Sequence, residues 1–238
     1  MSTLFLIRHG QAGSYGHGAD HLSDVGRRQA QKLGEYLVRN DVSFDAAYSG
    51  DLLRQQETGT IVAEVYAAAG KSFPAIETAV AWNEYDATGV TGALVPVLAE
   101  ADPSFAKKVQ EFQAAIGTRD HNRYFQRMFE VVMAKWVNDE ITAPNVEPFS
   151  VFHQRVSAAR AAIVGDPSSR KVAAFTSGGP IGACVQSVMQ APLHMSMEIN
   201  WRVRNASITE LLYSRDRISL DSFNSVPHID EPDLLTFR

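Results

Sequence analysis

Cysteine is nearly absent from this chain: Cys184 is the single example among 238 residues. That excludes an intramolecular disulfide framework and any metal centre built on several thiolates. Basic residues are also in deficit, 22 Lys and Arg against 27 Asp and Glu, for a formal net charge of −5. Such a balance leaves no electrostatic footprint for nucleic acid. A small anionic substrate stays open, because it needs only a local cluster of Arg. No apolar run approaches the about 18 residues of a membrane span. Nor does the N-terminus lead from a basic region into a long apolar stretch, since Arg8 interrupts it early. The expectation is a chain without a membrane partner, cytoplasmic by default. Asn205-Ala206-Ser207 fits a glycosylation acceptor, which means nothing chemically without a secretion signal. The His residues lack the spacing and carboxylate company of a metal site, so neither metal nor other cofactor is expected.

What is present reads as an ordinary globule, 45% hydrophobic and 21% charged. An apolar strand, Thr3 to Ile7, delivers Arg8-His9-Gly10 into a turn. Ser23 or Asp24 caps a helix with Val25, Ala30, Leu33 and Leu37 along one face. Phe44 to Tyr48 is a second strand. Asp51 is placed as the cap of a second helix, with Leu52, Leu53, Ile61, Val62 and Val65 inward and Gly70 as its stop. Two strand–helix units in succession predict a parallel sheet. Pro74 to Thr78 is placed as a third strand.

Between Val80 and Pro148 the rhythm changes to helical segments at 91–100, 104–116 and 121–138. The last carries Tyr124, Phe125, Met128, Phe129, Val132 and Trp136, a stripe better suited to a core than to a ligand-facing lid. Ser150 is placed as the cap of a further helix (Phe152, Val156, Ala159 and Ile163 inward) that Gly165-Asp166-Pro167 closes. Lys171 to Thr176 is a strand that ends in Ser177-Gly178-Gly179-Pro180. Asn205 to Tyr213 and Arg217 to Leu220 read as paired strands, and Phe223 to Arg238 as an irregular wrap. The expected architecture is one α/β domain over 1–238: a three-layer open, mainly parallel sheet with helices on both faces. A helical insertion at about 80–148 roofs it.

Four strand ends carry chemistry: Arg8-His9-Gly10, Ser49-Gly50 with Arg54 a turn later, Glu84 with Asp86, and Ser177-Gly178-Gly179. Open α/β sheets gather such ends into one crevice. Arg supplies fork-shaped donors for phosphoryl oxygens, and helix N-termini add backbone N–H groups. A neutral imidazole attacks phosphorus and leaves the adduct readily, while a carboxylic acid can protonate the departing alcohol. The Arg pair can balance the developing charge without a metal.

The series Leu6-Ile7-Arg8-His9-Gly10, Leu22-Ser23-x-x-Gly26-x-x-Gln29-Ala30 and Tyr48-Ser49-Gly50-x-Leu52-x-Arg54-x-x-x-Thr58 resembles the histidine phosphatase superfamily, whose fold is phosphoglycerate mutase-like. The resemblance covers nearly the whole chain. It implies that His9 takes the phosphoryl group, that Arg8 and Arg54 clamp phosphate, and that Glu84 donates the proton. Gln11 and Ser14 add loop contacts. Most members place a second histidine in the late Gly-Gly run, where this chain has Ser177. Serine can donate one hydrogen bond but brings no charge, and losing one such donor typically costs about 3–4 kcal/mol, or about 10²–10³ in rate. The run resembles a branch of the family with Ser-Gly-Gly-Pro, as do Asn224 and His228.

The leading expectation is a metal-independent phosphomonoester hydrolase that works through phosphohistidine on His9, with activity reduced by Ser177. Its partner is a small phosphorylated substrate or a phosphate anion, bound also by Ser177 and Gly178. Asp86 is the alternative to Glu84, and His228 the candidate to replace the missing imidazole. His17 and His21 read as loop polars, and Cys184 as inert core. A catalytically inactive relative that binds phosphate or a phosphoprotein is the rival. A phosphoglycerate-type mutase is second, disfavoured because 79–100 holds no Lys or Arg to recapture a diphosphorylated intermediate. Substrate identity and oligomeric state are not encoded legibly.

Overall fold

The computed structural model describes residues 2–13, 20–166, 168, 170–214 and 217–237. Ser14 and His17 fall outside the described residues, as do Pro167 and the turn positions Arg215 and Asp216. The chain divides into two compact units, Met1–Glu84 with Arg155–Arg238, and Tyr85–Gln154.

The first unit is built on a six-stranded sheet. Its strands are β1 (Ser2–Arg8), β2 (Ala46–Ser49), β3 (Ile76–Thr78), β4 (Lys171–Thr176), β5 (Ile208–Ser214) and β6 (Arg217–Ser225), in the spatial order β3-β2-β4-β1-β5-β6. The first four in that order run parallel, and β5 and β6 add an antiparallel edge. β1 and β4 are buried on both faces, which is why they read as unbroken apolar runs. Helices α1 (Asp24–Arg39) and α2 (Leu53–Ala68) cover one face, where Phe5, Ile7, Ala173 and Phe175 meet Leu33, Leu37, Val62 and Tyr66. On the other face lie the Arg155–Val164 part of α6 (Phe149–Val164) and α7 (Gly178–Val188), followed by the short α8 (Met195–Asn200).

The second unit holds α3 (Ala87–Ala101), α4 (Pro103–Ala115) and α5 (His121–Val137). Asp86 caps α3 and Asp102 caps α4, each carboxylate accepting a first-turn N–H at 2.8 Å. The stripe of α5 is core from Met128 to Trp136, while Tyr124 and Phe125 are partly buried: Trp136 sits 4.8 Å from Tyr85 and 5.1 Å from Phe149, centroid to centroid. Among the described residues no helix is long and apolar enough to cross a membrane.

Two expected caps are corrected. α2 begins at Leu53, and Asp51 is instead clasped by the side chain of Asn83 (2.9 and 2.6 Å). The carboxylate that accepts the first α2 amide is Asp20, at 2.9 Å from Leu53 N, so the cap comes from far away in sequence. Leu53, expected inward, is exposed. Helix α6 starts at Phe149, where Pro148 O accepts the amides of Val151 and Phe152, so Ser150 lies inside the first turn. Strand β6 also runs on through Phe223 to Ser225, further than its alternation suggested.

Candidate active site

Parallel pairing brings the C-terminal ends of four strands level. His9 N donates to Thr176 O (2.9 Å), Gly50 N to Phe175 O (3.3 Å) and Ala79 N to Ser49 O (2.7 Å). The turn that holds His9 is fastened from three sides. Gly10 N donates to Thr58 Oγ1 (3.1 Å), whose hydroxyl donates in turn to Arg54 O (2.7 Å). Gln11 N donates to the buried Gln29 Oε1 (2.8 Å). The carbonyl of His9 accepts from Ala206 N (3.1 Å) and Asn205 Nδ2 (3.4 Å), Ala206 holding a left-handed φ of 55° to do so. Close backbone approach makes two glycines obligatory here. A Cβ on Gly10 would stand 2.4 Å from Gly26 O, and one on Gly26 2.1 Å from Gln11 O.

His9 is buried, and its ring is oriented by two bonds that agree on one tautomer. Nδ1 lies 2.7 Å from Gly10 O and donates to it, leaving the lone pair on Nε2, which accepts from Arg54 Nε at 3.3 Å. Burial holds the imidazole well below its ordinary pKa, the charges of Arg8 and Arg54 push the same way, and the Gly10 carbonyl opposes them. The resting ring is therefore neutral.

Arg54 also pairs with Asp20 (2.5 Å), whose other oxygen holds Leu53 N. Arg8 donates from Nη1 to Val203 O and to Phe237 O (2.8 Å), so the C-terminal segment helps to aim it. That segment is itself fixed by Gln29, which donates to Leu234 O (2.7 Å) and Thr236 Oγ1 (2.9 Å).

Glu84 closes the other side. Its Oε2 accepts from Gly179 N (3.0 Å) in the first turn of α7. Ser177 precedes that turn but makes no side-chain cap bond to it, and Glu84 meets the Gly179 amide instead. Gln55 Nε2 donates to Ser177 Oγ (2.8 Å) and to Trp82 O (3.1 Å), and both Gln55 and Ser177 are 0% exposed. The Gly178 backbone lies against Asn200, where a Cβ would meet Oδ1 at 2.2 Å.

Several expected residues are occupied otherwise. Gln11 Oε1 accepts from Ser23 Oγ (2.9 Å), and Asp86 caps α3. The buried His228 ring lies against Tyr36 of α1, at 6.0 Å between centroids. Burial lowers it to about 4, with the Ala206 backbone opposing and Lys32 adding to the shift. His21 pairs with Glu57 (2.5 Å), and Cys184 is a buried thiol pushed up to about 12. Asn224 shapes the loop that leads to Asn205, accepting from Arg204 N and donating to Arg202 O, each at 2.7 Å. Among the described residues no three His, Cys, Asp or Glu side chains gather as a metal site. Asp20 and Gln55 are contributions that sequence reasoning missed.

A family model of the histidine phosphatase superfamily (branch 1) matches residues 4–120 and 119–226. A broad-specificity phosphatase of Saccharomyces cerevisiae is 38% identical over 65 residues, 25% of this chain and 28% of that protein. The mitochondrial serine/threonine-protein phosphatase Pgam5 of Caenorhabditis elegans is 26% identical over 139 residues, 51% of this chain and 48% of that protein. The chain spans between about a fifth and about half of the length of the curated relatives it matches. Among solved structures, phosphoserine phosphatase of Entamoeba histolytica with 3-phosphoglyceric acid superposes with a TM-score of 0.61 at 16% identity, covering 96% of this chain and 100% of that one. Phosphoglycerate mutase of Bacillus anthracis does so at 0.62 and 20%, covering 95% and 94%. At these identities the likeness shows a shared fold, the mixed, mainly parallel α/β arrangement described above.

Proposed function

We propose that this chain, which belongs to the histidine phosphatase superfamily, hydrolyses phosphomonoesters through a phosphohistidine on His9. The observation that carries the reading is the His9 ring itself: neutral, held by Gly10 O at Nδ1, and presenting Nε2 toward a guanidinium. In the first step Nε2 attacks phosphorus in line as the P–O bond to the alcohol breaks. Arg54 exchanges its bond to Nε2 for one to a phosphoryl oxygen, and Arg8 adds its charge. Glu84 protonates the departing oxygen. Water then cleaves the P–N bond, with the same carboxylate taking its proton.

The buried Ser177–Gln55 pair stands where most members have a second basic ring, so one positive charge is missing from transition-state stabilisation. We read the chain as an enzyme of reduced rate for that reason. The same pair favours the rival reading, a relative that binds phosphate or a phosphoprotein without turning it over. Hydrolysis of para-nitrophenyl phosphate from pH 4 to 8, beside His9→Ala, separates the two. Turnover that disappears in His9→Ala supports the enzyme, with alkali-quenched protein carrying acid-labile, base-stable phosphate. Turnover that survives the substitution, or none in either sample, sinks it.

A further inference from the structure

The segment that ends in Glu84 has almost no regular structure to hold it. A single 3-10 turn, Val80–Trp82, leads to Asn83 and then to the carboxylate. Val80 O accepts from Asn83 N within the turn (3.0 Å), and the carbonyls that follow are met from outside. Trp82 O accepts from Gln55 Nε2 (3.1 Å) and Thr176 Oγ1 (2.6 Å). The Asn83 side chain is locked to Asp51. The carbonyls of Ala81 and Asn83 belong to Arg155. Its Nη1 donates to Asn83 O at 2.9 Å and to Ala81 O at 3.0 Å, with Val80 O at 3.5 Å.

Arg155 comes from α6, between the buried Phe152 and Val156, and is itself half-buried. A guanidinium suits this task because it cannot be deprotonated and its donors lie in one rigid plane. It grips the last peptide before Glu84, whose Oε2 must still reach Gly179 N. We propose that Arg155 is a positioning residue: it fixes the Glu84 carboxylate where it can hand a proton to the leaving oxygen. This rests on the reading of Glu84 as the proton donor. Displacing a catalytic group by about 1 Å from a distant substitution can cost about 10²-fold, and the loss falls only on steps that need the displaced group.

Leaving groups provide the test. An alkyl phosphate such as phosphoserine must have its alkoxide protonated, whereas para-nitrophenolate departs without help. Arg155→Met should lower kcat/KM, which reports the steps up to phosphoryl transfer and not the later P–N hydrolysis common to both substrates, by about 10- to 100-fold for phosphoserine and by less than about threefold for para-nitrophenyl phosphate. Arg155→Lys, which keeps a cation with three donors, should recover most of the loss, and the neutral Arg155→Gln serves in place of Met if that variant does not fold. Equal losses on both substrates would show a merely structural staple and overturn the proposal, as would no loss. Glu84→Gln tells the two readings apart. If it lacks the same selectivity for phosphoserine, Glu84 is not the donor and both readings fall. Should Glu84→Gln be selective while neither Arg155 variant is, only the positioning role falls.

Discussion

Arg54 Nε stands 3.3 Å from His9 Nε2, the nitrogen that the Nδ1 bond to Gly10 leaves with a free lone pair. In the proposed mechanism the guanidinium performs two tasks in sequence: it orients the neutral ring, then takes the charge that the ring's attack creates.

A consequence follows for pH. Because burial and two guanidiniums hold His9 well below 6.5, the nucleophile stays unprotonated through mildly acidic conditions. The acidic limb of kcat/KM, after correction for the substrate's own second ionisation near about 6, should fall well under 6.5. An NMR titration of the His9 ring should show the same low midpoint. An inflection of the free enzyme at or above 6.5 contradicts the electrostatics described here.

On the proposed reading of Arg54 as a phosphate clamp, Asp20 competes with substrate for it. Its partly exposed carboxylate neutralises the clamp, a pair worth about 1 kcal/mol or less, while its second oxygen holds Leu53 N. Asp20→Asn keeps a carbonyl for that amide and removes the charge. Inorganic phosphate should then inhibit several-fold more tightly, up to about fivefold, which a competitive Ki measurement reads. Unchanged or weaker inhibition would mean that Asp20 serves chiefly to aim the guanidinium.

Restoring a second imidazole takes more than one substitution. Ser177 and Gln55 are both fully buried, and Gln55 fills the space beside the hydroxyl. Ser177→His alone therefore overpacks the site and should destabilise the fold by about 1–3 kcal/mol, seen in urea denaturation. Adding Gln55→Ala opens room for the ring. The double variant should regain stability over Ser177→His and hydrolyse para-nitrophenyl phosphate faster than the wild type, toward the about 10²–10³ expected of one restored donor.

His228 makes acid sensitivity a matter of stability. Its pKa is about 4 in the fold against 6.5 unperturbed, so between these values the unfolded chain binds a proton that the folded chain refuses. Stability then declines as pH falls through this window, by up to about 3 kcal/mol between pH 7 and 4. His228→Leu should flatten the decline when denaturation midpoints at pH 7 and 4.5 are compared, without changing phosphate affinity at pH 7. His9 adds a slope of the same sign, which remains in the variant.

The parts legible in the sequence are those governed by local rules. Buried parallel strands show as apolar runs, Ser23 as a helix cap, and the motif glycines Gly10 and Gly26 as a pair because two backbones touch there. His9, Arg54 and Glu84 stand out because they follow strands whose ends parallel pairing aligns. Asp20, Gln55 and Arg155 were illegible for the opposite reason. Each acts on backbone or side chains far along the chain, and nothing in its neighbours distinguishes it from a solvated polar residue. The Asp51 cap failed similarly: a favoured residue type stood at a favoured position, but Asn83 engaged it and a remote carboxylate took the helix amide. Serine at 177 was visible, while its closure beneath Gln55 depended on packing alone.

The strand that carries His9 lies between β4 and β5, so Thr3 must wait for Lys171 and Ser2 for Tyr213. The residues that grip the His9 carbonyl, Asn205 and Ala206, also come late in the chain. During synthesis, which proceeds from the N-terminus, the Arg8-His9-Gly10 turn emerges well before the residues that complete it. Such long-range closure slows folding, and it delays the chemistry with it. On the proposed reading, a nascent chain carries His9, Arg54 and Glu84 before β4 and β5 align the strand ends that hold them, so phosphate affinity becomes a gauge of completed folding.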